Sequence, residues 1–172
     1  GHDVAVVVSA MSGVTNQLVD YCKKVNFIHD AREYDAVVSA GENITSGLMA
    51  IALQKRGLTA RSWQGWQVAI KTNEMHGKAR IVDIDASEML ARFKDNEVAV
   101  LAGFQGVTSR NRIATLGRGG SDTTAVALAA ALDADRCDIY TDVEGVFTTD
   151  PRIVPVAQKL SKVSYEEMLE MA

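Results

Sequence analysis

The sequence predicts an α/β protein, a three-layer αβα sandwich with a mainly parallel sheet. Apolar runs of about six residues alternate with helical patterns of about ten to fourteen residues, which is typical of βαβ crossovers. Several of these runs are continuously apolar, as expected for parallel strands covered on both faces. The chain has 172 residues, 47% hydrophobic and 23% charged, which is enough for the core of one domain.

The first third of the chain contains two predicted strand-turn-helix units. Residues 4–9 form an apolar run of strand length. The helix after it is predicted from apolar side chains that share one face, namely Val14, Leu18, Tyr21, Cys22 and Val25. The pattern breaks over residues 26–32. A short apolar piece at 36–38 then predicts a strand, followed by a turn at 39–42 and a helix that ends in basic residues and Gly57.

The rest of the chain continues the alternation. Strands are predicted at 59–63, 79–84, 97–104 and 137–143, and an irregular segment at 65–78. Asp85 and Glu88 have the spacing of a capping box, which predicts a helix from there. The helix predicted at 121–134 is apolar on nearly every side, which indicates burial between layers. Residues 144–152 are rich in turn formers, and no repeat or linker divides the chain.

Charge and cysteine usage exclude several classes of function. The net charge is −4 and the basic residues are scattered, so nucleic acid is not an expected partner. Cys22 and Cys137 form no CxxC pair and the three histidines are isolated, so neither a disulfide framework nor a metal site is predicted. No membrane span or signal peptide is recognised. A reducing cytoplasm is the expected location, with no membrane partner.

The stretch "LGRGGSDTT" predicts an anion site. Three glycines, Gly117, Gly119 and Gly120, let the backbone approach a ligand, and the amides at the start of the following helix carry partial positive charge. Arg118 adds a planar fork suited to a carboxylate or phosphate. The alternative is that Ser121 or Asp122 simply caps the helix. That alternative does not explain an arginine placed between glycines.

Two further loops combine small residues with charges. Glu42, in "SAGE", stands at a predicted helix start, where capping alone would account for a carboxylate. The segment "TDVEGVFTTDPR" carries Arg152 and two aspartates, which a plain hairpin turn does not require. The sequence has no P-loop, dinucleotide fingerprint or GxSxG elbow, so those enzyme classes are not predicted.

These motifs together resemble a known family. "VVVSAMSGVTNQLV", "SAGE", "GFQGV", "TLGRGGSDTTAVALAAALDAD" and "YTDVEGVFTTDPR" are similar to the catalytic domain of aspartokinases, in the amino acid kinase superfamily. The resemblance covers most of the chain. It implies the amino acid kinase fold and transfer of the γ-phosphoryl group of ATP, with Mg²⁺, to the β-carboxylate of L-aspartate. The product, 4-phospho-L-aspartate, opens the route to lysine, threonine and methionine.

The resemblance also implies roles for individual residues. Glu42 would bind the substrate ammonium group, and Arg118 would bind a carboxylate. Ser121 and Asp122 would organise the phosphoryl-transfer region as the catalytic pair. The remaining substrate-site residues would be Ser9, Thr15, Phe104, Gly119 and Gly120. The nucleotide would be held by Thr141, Asp142, Phe147, Thr148, Thr149, Asp150, Pro151 and Arg152.

Compared with the family pattern, this sequence is expected to lack several segments. Residues 1–172 are expected to be a partial catalytic domain, incomplete at both ends. The first strand with its Lys-Phe-Gly-Gly motif and the C-terminal ACT domains are missing, and a segment could be missing near 25–26. Without the phosphate-stabilising lysines, the isolated segment is expected to be inactive. A homo-oligomer is expected for the full-length protein.

Two other functions stay open from the sequence. One is a related phosphotransferase whose acceptor is a nucleoside monophosphate or N-acetylglutamate, although Arg118 and Glu42 together suit a zwitterionic amino acid better. The other is a non-catalytic segment that binds a ligand for regulation. Upstream sequence without the lysine motif would favour the latter.

Overall fold

The chain divides into two compact units, Gly1–Asp138 and Ile139–Ala172. A computed structural model of the protein describes residues 2–141 and 145–164. Within those residues, all helices and strands lie in the first unit, and the second unit has one isolated β-bridge. The division falls within residues 137–143, where the sequence predicts a strand.

The first unit alternates strands and helices along its length. The strands are β1 (Ala5–Val8), β2 (Ala60–Trp63), β3 (Ile70–Thr72), β4 (Ile81–Ile84), β5 (Val98–Ala102), β6 (Gln105–Thr108) and β7 (Ile113–Thr115). The helices are α1 (Val14–Val25), α2 (Ala31–Val38), α3 (Ala40–Lys55), α4 (Ser87–Phe93) and α5 (Gly120–Ala131). The α/β class is confirmed, as are the predicted β1, β2, β4, β5, α1, α3, α4 and α5, although α3 begins earlier than predicted.

The strands form two sheets. The first has the order β1-β5-β2 and is parallel throughout, as predicted. The second has the order β4-β3-β6-β7, in which β3 and β6 are parallel and the two outer pairings are antiparallel. Only four residues separate β6 from β7, too few for the crossover that a parallel pair needs. The short connections therefore explain why the second sheet is mixed.

The central strand β5 shows the three-layer arrangement directly. Ala99 and Leu101 belong to one hydrophobic cluster and Val100 to another, because successive side chains of a strand point to opposite faces. The first cluster includes side chains from α4 and α5, and the second includes Ala50 from α3. All three β5 residues are at most 1% exposed. Helices thus cover both faces of the parallel sheet.

The helix α2 and the first turn of α3 replace a predicted strand and turn, while the rest of α3 is the helix predicted to follow that turn. Ser39 joins the two helices with φ −68° and ψ −14°, which is helical backbone, so residues 36–42 never become extended. Asp30 caps α2, since its carboxylate accepts a hydrogen bond of 2.8 Å from the Arg32 amide. The prediction of a strand at 36–38 was wrong because its apolar residues belong to the last turn of a helix.

Other departures are local. β3 lies inside the segment predicted as irregular, and the β6–β7 hairpin was not predicted. The helix at 87–93 has Ala86 as its N-cap, and Asp85 accepts from the Ser87 amide at 3.1 Å, so the predicted capping box is absent. Residues 137–141 form no strand, because no described strand pairs with them. The remainder of that predicted strand, residues 142–143, lies outside the described residues.

The outer face of α5 is open in the described structure. Its buried residues recur every fourth position, at Gly120, Thr124 and Leu128, which forms a single stripe toward the sheet. Val126, on another side, is 58% exposed. The prediction that this helix is buried between layers was therefore wrong, since an apolar composition does not by itself supply a second covering layer.

One described stretch, Ala31–Lys55, could cross a membrane by length and composition alone. It has 25 residues, and its most apolar window of 18 has a mean hydropathy of 1.3. The stretch comprises both α2 and α3, and about 33% of that window is buried. Its buried polar residues hydrogen-bond to other elements of the first unit, as Ser46 does with Gln64. Packing inside the fold accounts for only part of its apolar character, because Ile44, Leu48 and Ile51 of α3 are 51%, 49% and 62% exposed.

Candidate active site

A pocket of about 260 Å³ opens where β1 and β5 end. These strands are parallel, so their carboxyl ends lie at the same edge of the sheet, where open α/β folds bind ligands. The pocket is lined by Ser9, Ala10, Thr15, Glu42, Phe104, Gly117, Gly119, Gly120, Ser121 and Asp122. Every substrate or catalytic residue that the sequence predicts, except Arg118, lines this pocket.

Three helices begin at the pocket. Thr15 lies in the first turn of α1, Glu42 in the first turn of α3, and Ser121 in the first turn of α5. The first turn of a helix leaves amide groups without intrahelical partners and carries partial positive charge. Three such ends around one cavity favour an anionic ligand, such as a carboxylate or phosphate group.

Glu42 is one of two acidic residues that line this pocket, together with the exposed Asp122. Its side chain is buried, with the residue only 4% exposed, and Oε1 accepts a hydrogen bond of 3.1 Å from the Ala10 amide. Oε2 is buried and has no hydrogen-bond partner among the described residues. Burial raises the pKa of this carboxyl, and the hydrogen bond from Ala10 offsets part of the rise. Glu42 therefore reaches across to the β1–α1 loop and does not serve as the cap of α3.

The glycine loop enters α5 through positive-φ backbone. Gly117 has φ 82° and Gly119, the N-cap, has φ 70°, a region that side chains other than glycine rarely adopt. No side chain caps the helix. Ser121 and Asp122 instead stand inside its first turn and line the pocket. The alternative in which they merely cap the helix is therefore wrong.

The pocket wall is tightly packed at Gly103 and Gly120, where a side chain would not fit. A Cβ at Gly103 would lie 2.8 Å from Ser121 Oγ, and one at Gly120 would lie 2.8 Å from Phe104 Cδ2. Phe104 itself has φ 68°, and its amide donates to Thr124 Oγ1 at 3.2 Å. A non-glycine residue held at positive φ marks a conformation that its surroundings impose. The start of α5 is thereby fixed against the end of β5.

Arg118 stands apart from the other predicted site residues. It is exposed, it does not line the pocket, and it forms no ion pair or hydrogen bond with any described residue. Its neighbours Gly117 and Gly119 do line the pocket. The Arg118 side chain therefore lies next to the cavity, and no ion pair or hydrogen bond with another described residue holds it in place.

Residues 147–152, which the sequence predicts to bind the nucleotide, lie in the second unit and form a turn. Phe147 and Lys159 make an antiparallel bridge, and the Thr148 amide donates to the Gln158 carbonyl at 2.9 Å. Arg152 binds both oxygens of Asp150, at 3.0 and 2.7 Å, and this pairing lowers the pKa of Asp150 to about 2. Both residues thus have a role within the turn itself. Thr141, Thr149 and Pro151 are also described, whereas Asp142 lies outside the described residues.

Sequence reasoning missed a buried amide that supports Glu42. Gln105 is 1% exposed, and its Nε2 donates to the Ser39 carbonyl at 3.1 Å and to Asn43 Oδ1 at 2.8 Å. These bonds join the first turn of α3 to β6, next to Phe104. The signal in the sequence is a lone polar residue between glycine and apolar neighbours in "GFQGV".

Among residues 2–141 and 145–164, no three His, Cys, Asp or Glu side chains are grouped to hold a metal ion.

Comparison with known proteins places this geometry in a family. The amino acid kinase family matches residues 1–172. Aspartate kinase Ask_LysC of Stutzerimonas stutzeri (strain A1501) is 58% identical over 172 residues, which cover 100% of this chain and 42% of that protein. The chain thus spans about two fifths of the length of the curated relatives it matches.

Solved structures agree with the family assignment. The structure of E. coli aspartokinase III in complex with aspartate and ADP (R-state) has a TM-score of 0.85 and 29% identity, covering 98% of this chain and 49% of that one. Aspartate kinase from Synechocystis has a TM-score of 0.78 and 45% identity, covering 97% of this chain and 27% of that one. The chain belongs to the amino acid kinase family.

Proposed function

We propose that the full-length protein is an aspartokinase, which transfers the γ-phosphoryl group of ATP to the β-carboxylate of L-aspartate. The observation that carries the proposal is the buried, unpartnered Oε2 of Glu42, a residue that lines a pocket where three helices begin and three glycines lie. An acceptor with one cationic and two anionic groups matches that combination. Similarity to proteins named aspartate kinase or aspartokinase supports the same substrate.

The substrate ammonium group would bind Glu42. A buried carboxylate oxygen without a donor carries a desolvation cost, and an ammonium group supplies both the missing hydrogen bond and the opposite charge. Arg118 would then fold over the pocket to bind a substrate carboxylate, since it has no ion pair among the described residues to break. Ser9, Thr15, Phe104, Gly119 and Gly120 would complete the contacts with the amino acid.

Chemistry would occur at the start of α5. An oxygen of the substrate β-carboxylate attacks the γ-phosphorus of ATP, the bond to the β,γ-bridging oxygen breaks, and that oxygen leaves with ADP. No protein nucleophile is required, because positioning and charge stabilisation dominate phosphoryl transfer. Ser121 and the amides of the α5 first turn would orient the transferred group.

Mg²⁺ fits the carboxylate at this site. Asp122 is an exposed carboxylate that lines the pocket, and Mg²⁺ is commonly held by one or two carboxylates together with substrate phosphates. When bound with ATP, the ion neutralises charge on the phosphates. Asp122 would hold it, and the helix N-termini would bind the phosphate oxygens around it.

The nucleotide itself would be held by the turn of the second unit. Thr141, Asp142 and residues 147–152 are the proposed contacts. Within this turn, Asp150 accepts hydrogen bonds from the Arg152 amide at 2.9 Å and from its Nη2 at 2.7 Å. The homo-oligomeric state, the cytoplasmic location and the place of the reaction at the head of lysine, threonine and methionine synthesis remain predictions.

An acceptor assay tests the proposal. The full-length protein is incubated with ATP and Mg²⁺, and ADP release is measured with L-aspartate, N-acetyl-L-glutamate or uridine monophosphate as acceptor. Turnover with L-aspartate is expected, because N-acetylglutamate has no ammonium group for Glu42 and a nucleotide has no amino acid zwitterion. Turnover with another acceptor and none with L-aspartate would contradict the proposal.

A further inference from the structure

Asp35, on α2, is a fully buried carboxylate that the pocket does not use. The residue is 0% exposed and does not line the pocket. Its two oxygens are hydrogen-bonded by residues from two other parts of the first unit. Thr115 Oγ1 donates at 2.6 Å, the Gly77 amide lies 3.1 Å from each oxygen, and His76 Nδ1 lies 2.7 Å from Oδ2.

These partners are the two backbone segments that support the glycine loop of the pocket. Thr115 ends β7, two residues before Gly117, and its carbonyl accepts from the Ala79 amide at 2.9 Å. Gly117 lies against Gly77, since a Cβ at Gly117 would be 3.2 Å from the Gly77 carbonyl oxygen. Asp35 therefore binds the strand that leads into the loop and also the segment on which the loop rests.

Burying a carboxylate only to fill space is unfavourable, because an apolar residue of similar size would avoid the desolvation cost. Several hydrogen-bond donors together offset the desolvation cost of burying Asp35. Each donor lies on one of the two segments that support the glycine loop. A carboxylate can hold donors from separate segments in one arrangement, which an apolar side chain cannot. The arrangement thus specifies where residues 117–122 lie relative to the rest of the pocket.

We propose that Asp35 is a positioning residue for the acceptor pocket, acting through Gly77 and Thr115 to set the position of the glycine loop at 117–122. The effect of Asp35 on the use of L-aspartate rests on the proposed function. Loss of Asp35 would move the wall that binds the acceptor while leaving the turn of the second unit unchanged in sequence and in its own hydrogen bonds. The effect should therefore appear in the use of L-aspartate more than in the use of ATP.

Asp35→Asn in the full-length protein is the first test. The carboxamide has the same shape, but its NH₂ group faces the donors of Gly77 or Thr115 and cannot accept from them. We expect the KM for L-aspartate to rise by about tenfold or more and the KM for ATP to stay within about twofold, as expected for a misplaced binding wall. Asp83→Asn is the matched control, since Asp83 is an exposed carboxylate on β4 paired with Lys71 at 2.8 Å. An equal rise in both KM values, or no rise, would overturn the proposal.

Thr115 provides a second pair of variants in case Asp35→Asn does not fold. Thr115→Val keeps the shape and removes the donor to Asp35, whereas Thr115→Ser keeps the hydroxyl. A role in packing alone would make the serine variant, which loses a methyl group from a buried site, at least as harmful. The proposal requires the reverse, a raised KM for L-aspartate in Thr115→Val and restoration toward the wild-type value in Thr115→Ser. The opposite order would overturn it.

Hydrogen exchange separates this inference from the proposed function. Amide exchange over residues 116–123 is measured by mass spectrometry in the ligand-free full-length protein. Faster exchange in Asp35→Asn and Thr115→Val than in Asp83→Asn and Thr115→Ser supports the positioning role, even if the wild-type protein does not phosphorylate L-aspartate. Unchanged exchange over 116–123 in both Asp35→Asn and Thr115→Val overturns the role, whatever the acceptor proves to be.

Discussion

Ala10 and Glu42 are joined by a hydrogen bond of 3.1 Å between the Ala10 amide and Oε1 of the carboxylate. The bond connects the loop after β1 with the first turn of α3, 32 residues further along the chain. It uses one carboxylate oxygen and leaves the other buried without a partner among the described residues. The bond therefore fixes one oxygen of a carboxyl group that lines the pocket and leaves the other oxygen without a donor.

The cost of burying Glu42 predicts a pH dependence of stability. Burial raises the pKa of Glu42 above its ordinary value of 4.5, so the folded protein binds this proton more tightly than the unfolded chain does. The stability contributed by the protonated form is then complete below the unfolded pKa and is lost as pH rises through the folded pKa. In thermal unfolding without ligand, we expect wild type to lose stability relative to Glu42→Gln as pH rises above about 4.5.

Glu88→Gln is the control for that measurement, because Glu88 is exposed and pairs with Arg92 on the surface of α4. The difference in Tm between Glu42→Gln and wild type should grow with pH and become constant above the folded pKa. A difference that does not vary with pH would show that burial of the Glu42 charge is not the cause.

Two glycines of α3 predict opposite effects of the same substitution. A Cβ at Gly41 would lie 2.8 Å from Ala10 Cβ, whereas a Cβ at Gly47 would meet nothing within 4 Å. Gly41→Ala should push α3 away from the β1–α1 loop, with a loss of about 1–3 kcal/mol in the free energy of unfolding. Gly47→Ala should stabilise by about 0.5–1 kcal/mol, the usual gain for alanine inside a helix.

Urea denaturation measures both effects, and the KM for L-aspartate should rise only in Gly41→Ala. The two variants have the same composition and lie in the same helix, so each is the control for the other. Similar stabilities would mean that the contact between Gly41 and Ala10 does not determine the packing of α3.

Arg118→Ala should weaken L-aspartate binding and leave ATP binding nearly unchanged. Loss of a charge-assisted contact to a carboxylate is worth about 1.5–3 kcal/mol, or a rise in KM of about tenfold to a hundredfold. Arg56→Ala, at another exposed arginine, at the end of α3, is the control. The role assigned to Arg118 would be refuted by a large loss of ATP affinity with normal affinity for L-aspartate.

Local patterns in the sequence predicted much of the fold and the anion site at the glycine loop, whereas Ser9, Thr15 and Phe104 were predicted only from the family resemblance. The spacing of Val14 and Leu18 was enough for α1, and the glycines before α5 indicated the ligand loop. Prediction failed at residues 36–38, where three apolar residues suit a strand or a helix equally well. The spacing of Asp30 and Glu33, typical of a helix start, was the available signal for α2.

What the sequence did not show was the network that supports the pocket. Asp35 meets His76, Gly77 and Thr115, which are 41 to 80 residues away along the chain. Gln105 meets Ser39 and Asn43 from a similar separation. Periodicity reports which face of an element is apolar, but it does not report which distant donors converge on one carboxylate. Such contacts depend on the packed fold.

The most direct test of the central claim is the specificity for an ammonium group at Glu42. In the full-length protein, kcat/KM is measured by ADP release for L-aspartate and for succinate, which has both carboxylates and lacks the amine. Wild type should prefer L-aspartate by about a hundredfold or more, since a buried charge left without its partner costs about 2–5 kcal/mol. In Glu42→Gln the preference should fall to within about tenfold, mostly through loss of activity on L-aspartate. A preference for L-aspartate that survives Glu42→Gln undiminished would contradict the account.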